Sequence, residues 1–150
     1  MLPKYHIIIG AITTLIISSI FTITPLQALI IFLSSFLIDV DHYFLYIFKT
    51  KDLSLKKSIK YFFKRREEWL SLPLSERKKR KLAIFIFHGV EFWGLLAILA
   101  IYFPIIWFVL IGILIHMILD YIDILYKKDP LYCKFSQLIV YFKNKGKEDF

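Results

Sequence analysis

Residues 105–126 read IIWFVLIGILIHMILDYIDILY, a stretch without a single Lys or Arg. About 20 apolar residues in a helix cross the hydrocarbon core of a bilayer. Three further stretches have the same character: Tyr5 to Thr24, Leu26 to Phe48 and Leu82 to Phe103. The chain is 58% hydrophobic over 150 residues, with mean hydropathy +0.63. A soluble domain is ordinarily about 45–50% apolar, so the composition speaks for a bilayer solvent. Pro25 and Pro104 leave only tight turns between successive runs, which therefore pair into two hairpins. The expectation is an all-α fold, a four-transmembrane-helix bundle making one integral membrane domain over residues 1–150. The first run lacks a strongly basic start and a small-residue cleavage site, so it reads as a retained helix rather than a signal peptide.

Charge sets the orientation. The net charge is +8, and the 20 Lys and Arg residues are confined to three places. Lys4 precedes the first run, thirteen lie in the loop 49–81, and six lie in the tail 127–150. The positive-inside rule puts these segments, with both termini, in the cytoplasm of a multi-pass protein of the cytoplasmic (inner) membrane. In a soluble protein this basicity would suggest nucleic acid. Here it points to membrane lipids and their anionic headgroups as partners, with no nucleic acid expected. Lys49, Lys51 and Arg77 to Lys81 would form the basic rim. Oligomeric state is left open. Leu55, Ile59, Phe62, Phe63 and Leu70 recur at helical spacing in the loop, as do Leu131, Phe135, Leu138, Ile139 and Phe142 in the tail. Both read as cytoplasmic interfacial amphipathic helices. Leu72-Pro73 would end the first of these, and Ser75 would cap the helix of the third run. Trp93 and Trp107 read as lipid contacts. Cys133, the single cysteine, excludes an intramolecular disulfide.

The apolar runs are interrupted by groups that are costly there, since insertion of a central Asp costs roughly 2.5–3.5 kcal/mol. Asp39, Asp41 and His42 fall in the second run, His88 and Glu91 in the third, and His116, Asp120 and Asp123 in the fourth. His6 opens the first run, so all 4 histidines belong to this set. Asp39 and His42 are three apart, His88 and Glu91 three apart, and His116 and Asp120 four apart, which puts each pair on one helix face. The 1.5 Å rise places these groups in one layer, in the cytoplasmic third of a core about 30 Å thick. Imidazole and carboxylate from facing helices make metal sites. Neutral imidazole and carboxylate suit zinc, iron, manganese or nickel, with zinc foremost. The further carboxylates are placed to orient imidazoles or to act as general base. Two other readings stay open: polar glue between helices, and an ion, proton or metal pathway. The outer halves of the runs are almost wholly apolar, which weighs against a pathway.

The elements Ile38-Asp39-Val40-Asp41-His42, His88-Gly89 and His116-Met117-Ile118-Leu119-Asp120, preceded by His6 and Gly10, resemble the YdjM-like family of membrane-bound metal-dependent hydrolases. That group is held to be similar to the zinc-dependent phospholipase C and P1-nuclease group. The resemblance implies hydrolysis of a phosphoester or lipid at the cytoplasmic leaflet. It implies metal ligands at His6, Asp39, His42, His88, His116 and Asp120. The family often carries a longer histidine-containing stretch before its third helix. Here Glu91, in Phe87-His88-Gly89-Val90-Glu91, would replace a missing ligand or serve with Asp41 as general base.

Overall fold

The structure is a computed structural model that describes residues 3–149. Its helices are α1 (Pro3–Ile20), α2 (Pro25–Leu37), α3 (Val40–Thr50), α4 (Leu55–Ser71), α5 (Leu74–Lys79), α6 (Val90–Tyr102), α7 (Ile106–Lys127), α8 (Tyr132–Phe135) and α9 (Gln137–Lys143). No strand occurs among the described residues. Three helical stretches are long and apolar enough to cross a membrane: Pro3–Ile20, Pro25–Thr50 and Ile106–Lys127.

The packing is that of a membrane protein, with small and polar residues inward and large apolar residues outward. On α1 the buried residues are His6, Gly10 and Thr14, one per turn. Ile8, Ile12, Leu15 and Ile16 are exposed on the other faces. Glycine at position 10 is required by the approach of α2, since a Cβ there would stand 2.1 Å from Ser35 Oγ. Gly112 of α7 is tighter still, for its Cβ would meet Ser34 Oγ at 2.1 Å and the Ile31 carbonyl oxygen at 2.4 Å. These close approaches make α2 the main neighbour of α7, with α1 packed on α2. Helix α7 is the axis of the fold and buries His116, Met117 and Asp120 along with Ile113 and Leu119.

The helix start at Pro25 follows its sequence. Pro25 begins the helix, and Thr24 and Gln27 form a reciprocal capping box. The second apolar run, however, is not one smooth helix. It breaks at Ile38 and Asp39, where the Asp39 N–H bonds back to the Phe36 carbonyl in a tighter turn. The tighter turn leaves Asp39, Asp41 and His42 at the junction of α2 and α3.

The third run differs more. Only Val90–Tyr102 is α-helical, about 20 Å of axis at 1.5 Å per residue. Residues 82–85 form no regular element, Phe85 being extended, and Ile86–His88 form a 3-10 turn. Side chains from elsewhere satisfy this irregular backbone, as burial demands. Asn144 pairs with both the N–H and the carbonyl of Leu82 at 2.9 Å. The Phe85 N–H donates to Gln137 Oε1 at 2.8 Å and the Phe87 N–H to Asp41 Oδ2 at 3.2 Å. The Phe87 carbonyl accepts from Trp93 Nε1 at 3.2 Å. Trp93 therefore packs against the buried cluster of Ile38, Ile113 and Met117 instead of facing lipid, whereas Trp107 is half-exposed.

The basic loop is largely helical. Ser54 caps α4, which ends at Leu72-Pro73 as its sequence suggests. Ser75 lies inside α5 and caps nothing. The tail stripe is divided at Ser136 into α8 and α9. Arg77 is not a free rim charge: it donates to the carbonyls of Leu72, Leu70 and Lys127 and pairs with Asp129.

Candidate metal centre

The kink after α2, the 3-10 turn before α6, the middle of α7 and the start of α1 bring their polar groups to one place. Asp39, His88, His116 and Asp120 face one another, with the three last-named buried. His88 Nε2 lies 3.2 Å from His116 Nε2, 3.4 Å from Asp39 Oδ1 and 3.6 Å from Asp120 Oδ2. His116 Nε2 lies 3.5 Å from Asp39 Oδ1 and 3.2 Å from Asp120 Oδ2. Tetrahedral zinc, with bonds of about 2.0–2.2 Å to N and O, sets its donor atoms about 3.3–3.6 Å apart. The five distances above, 3.2–3.6 Å, are close to that spacing.

Hydrogen bonding on the far side of each ring fixes what the near side offers. His116 Nδ1 lies 3.0 Å from the Ser35 carbonyl oxygen, which can only accept. His88 Nδ1 lies 2.9 Å from Asp41 Oδ2, also an acceptor. Both Nδ1 atoms therefore donate. In the neutral imidazoles both Nε2 atoms then carry lone pairs, pointed at each other and at two carboxylates. Four such atoms converging in a buried site could hold a metal ion. This is the arrangement by which carboxylate and carbonyl groups orient metal-binding histidines.

His6 borders the group without joining it. Its ring stacks on His116 at 3.9 Å between centroids, and its Nε2 is 3.4 Å from Asp120 Oδ1. The residue is fully buried, and neither ring nitrogen makes a hydrogen bond. His42 stands in a second group with Asp41 and His88. Its Nδ1 is 3.2 Å from Asp41 Oδ1 and 3.4 Å from Asp39 Oδ1, and its ring stacks on Phe85 at 4.1 Å. It is the partly exposed histidine of the centre, with 29% of its side chain accessible.

Glu91 lies outside both groups. Its carboxylate accepts from the N–H groups of Gln137 and Leu138 at 3.2 Å and from the Ser136 hydroxyl. It receives the first N–H groups of α9 beside the Ser136 cap and docks the tail, so the structure gives it neither a ligand's nor a base's position. Asp123 pairs with Lys127 on the next turn of α7. Cys133 is not part of either group.

Two participants have no sequence signal. The Ser35 carbonyl is backbone, and its role follows from where α2 meets α7. Lys134, one of the six basic tail residues, reaches into the centre, its Nζ 3.0 Å from Asp120 Oδ2. Burial alone would lower its pKa, but the carboxylates of Asp120, Asp39 and Asp41 hold the ammonium above the usual lysine range.

A cavity of about 380 Å³ opens onto the group. Asp39, Asp120 and His42 border it, Ile59 and Phe62 of α4 form an apolar wall, and Lys134 stands at its edge. Comparison with known proteins finds no matching family model, no matching curated protein and no matching solved structure.

Proposed function

We propose that this chain is a membrane-embedded, metal-dependent hydrolase of a phosphoester, holding a divalent ion, zinc foremost, between Asp39, His88, His116 and Asp120. The observation that carries this reading is the pair of Nε2 atoms 3.2 Å apart, each ring with an acceptor behind it at Nδ1. Helix glue would put a proton donor opposite an acceptor; here acceptor faces acceptor. The similarity of Asp39-Val40-Asp41-His42 and His116 to Asp120 to the YdjM-like hydrolases agrees with it.

A divalent ion in such a site supplies Lewis acidity toward water and a phosphoryl oxygen. The chain supplies the rest. Asp41 and the Ser35 carbonyl keep His88 and His116 in the right tautomer. Asp39 and Asp120 border the cavity, so an occupant reaches the ion from that side. His42 is the group placed to move a proton. It borders the cavity, is partly solvent-accessible, and is backed by Asp41 Oδ1, so its Nε2 is the candidate acid–base atom.

The chain crosses the membrane four times, with both termini and the basic loop in the cytoplasm. Residues 82–102 make the third crossing as a short helix plus an irregular segment covered by the tail. Non-helical backbone at membrane depth is tolerated where protein buries it. The centre then opens to the cytoplasmic leaflet, near the headgroups that the basic loop attracts.

The test is turnover by zinc-loaded protein on a phosphomonoester, a phosphodiester and a phospholipid. Wild type should hydrolyse at least one, and His42→Ala should lose about 10²–10⁴-fold in kcat, as general acid–base groups do. Absence of turnover on all three by metal-loaded, folded wild type would refute the reading.

A further inference from the structure

The centre contains a cation of its own. Lys134 Nζ shares Asp120 Oδ2 with His116 Nε2, at 3.0 Å and 3.2 Å. Its side chain is 13% exposed, and the ammonium stands 4.7 Å from the centre of the Phe85 ring. Both residues border the cavity.

Charge decides what this lysine is for. Asp39, Asp41 and Asp120 bring three carboxylates and Lys134 one ammonium. The remaining two negative charges match one divalent ion. A second such ion would leave the buried centre doubly positive, which burial disfavours. An ammonium has three donors and no acceptor. Asp120 takes one, and the side facing the cavity can serve an acceptor there. Arg66 borders the same cavity, with its Nε buried and without a hydrogen-bond partner among the described residues. An anionic occupant of the cavity would sit beside both cations.

We propose that Lys134 is the anion-binding residue of this centre, a fixed ammonium standing where a second divalent ion would otherwise stand. The site then holds one ion and grips a phosphate-type oxyanion between that ion and the lysine. The inference rests on the metal reading above and adds its nuclearity and its anion anchor.

The test titrates purified wild type, Lys134→Met and Lys134→Arg with zinc, then titrates the zinc-loaded proteins with inorganic phosphate and with octyl phosphate. Wild type should take up one equivalent of zinc. Lys134→Met should bind zinc about 10-fold tighter or more, because a like charge and a competitor for Asp120 Oδ2 are gone. It should bind both phosphates about 10-fold more weakly, having lost a charge-assisted hydrogen bond, while Lys134→Arg retains them. Tighter binding of octyl phosphate would identify an amphiphile seated against Ile59 and Phe62; equal affinities would identify a free phosphate. If Lys134→Met loses its helical signal, Lys134→Gln repeats the comparison. Unchanged zinc and phosphate affinities in a folded variant, or two zinc ions in wild type, would overturn the lysine's role alone. A wild type that binds no zinc would remove the metal reading and this inference together.

Discussion

Replacing Asp41 with Asn tests how the centre is held rather than what it contains. Asp41 Oδ2 accepts from His88 Nδ1 at 2.9 Å and from the Phe87 N–H at 3.2 Å. Its other oxygen faces His42 Nδ1 at 3.2 Å. An Asn of the same shape keeps one acceptor, so His88 and the 3-10 turn can remain in place. What goes is the carboxylate charge that makes His88 a stronger electron donor and helps neutralise a bound ion. Loss of such an orienting partner typically lowers metal affinity about 10–100-fold, which is about 1.4–2.8 kcal/mol. Asp41→Ala is the harsher change. It leaves two buried donors unpaired, at roughly 1–3 kcal/mol each, and should lower the thermal midpoint of the metal-free protein as well. The assay is competition for zinc against a chromogenic chelator in detergent, with thermal unfolding recorded with and without zinc. Asp41→Asn should keep its metal-free midpoint and lose zinc affinity. A folded Asp41→Asn protein with wild-type zinc affinity would refute the assignment of Asp41 as the residue behind His88.

Three other outcomes are expected. Gly112→Ala drives a methyl into the Ile31 carbonyl oxygen, 2.4 Å from the new atom, a backbone group that cannot step aside. Overpacking of this kind costs about 1–3 kcal/mol, and an unchanged unfolding midpoint in detergent would contradict the α2–α7 contact. Glu91→Ala leaves the Ser136 cap of α9 but removes the acceptor of the Gln137 and Leu138 N–H groups, at a cost of about 0.5–1.5 kcal/mol per hydrogen bond. Hydrogen exchange over residues 132–143 should speed up while the spans keep their protection, and uniform protection would show that these bonds are idle. Burial pushes the Cys133 thiol up from 9.0 to about 11, so the folded protein keeps it protonated until the pH approaches that value. At pH 8 its thiolate fraction is about 100-fold below that of an ordinary cysteine, and alkylation should be slower in proportion. Equal rates in folded and denatured protein would contradict its buried position.

Three of the four apolar runs were legible as membrane-length helices because period and length are strong signals in an apolar chain, and the residues at i,i+3 and i,i+4 within the runs were legible because their cost demands a reason. His6, Asp39, His88, His116 and Asp120 fall where one layer of antiparallel helices would bring them. The break at Ile38-Asp39 was not legible, since Leu26 to Phe48 is uniformly helix-compatible. The irregular segment 82–85 was hidden for a similar reason. Its apolar sequence reads as helix, and only Asn144 and Gln137, more than fifty residues later, make the irregular backbone tenable. Glu91 shows the limit of spacing arguments. It lies three residues from His88, yet the 3-10 turn and Gly89 intervene, so the two side chains leave in different directions. Lys134 could not be singled out among the tail lysines, because its place depends on the docking of α8 and α9.

Metal content of the purified protein tests the central claim most directly. Wild type and a His116→Ala/Asp120→Ala double variant would be solubilised in detergent, loaded with zinc, manganese or iron in turn, freed of excess ion, and assayed by elemental mass spectrometry. One equivalent of a divalent ion in wild type, absent from a double variant that keeps its helical signal, is the predicted result. A folded wild type that retains none of the three ions would contradict the account, and the convergence of His88, His116, Asp39 and Asp120 would then be polar contact between helices.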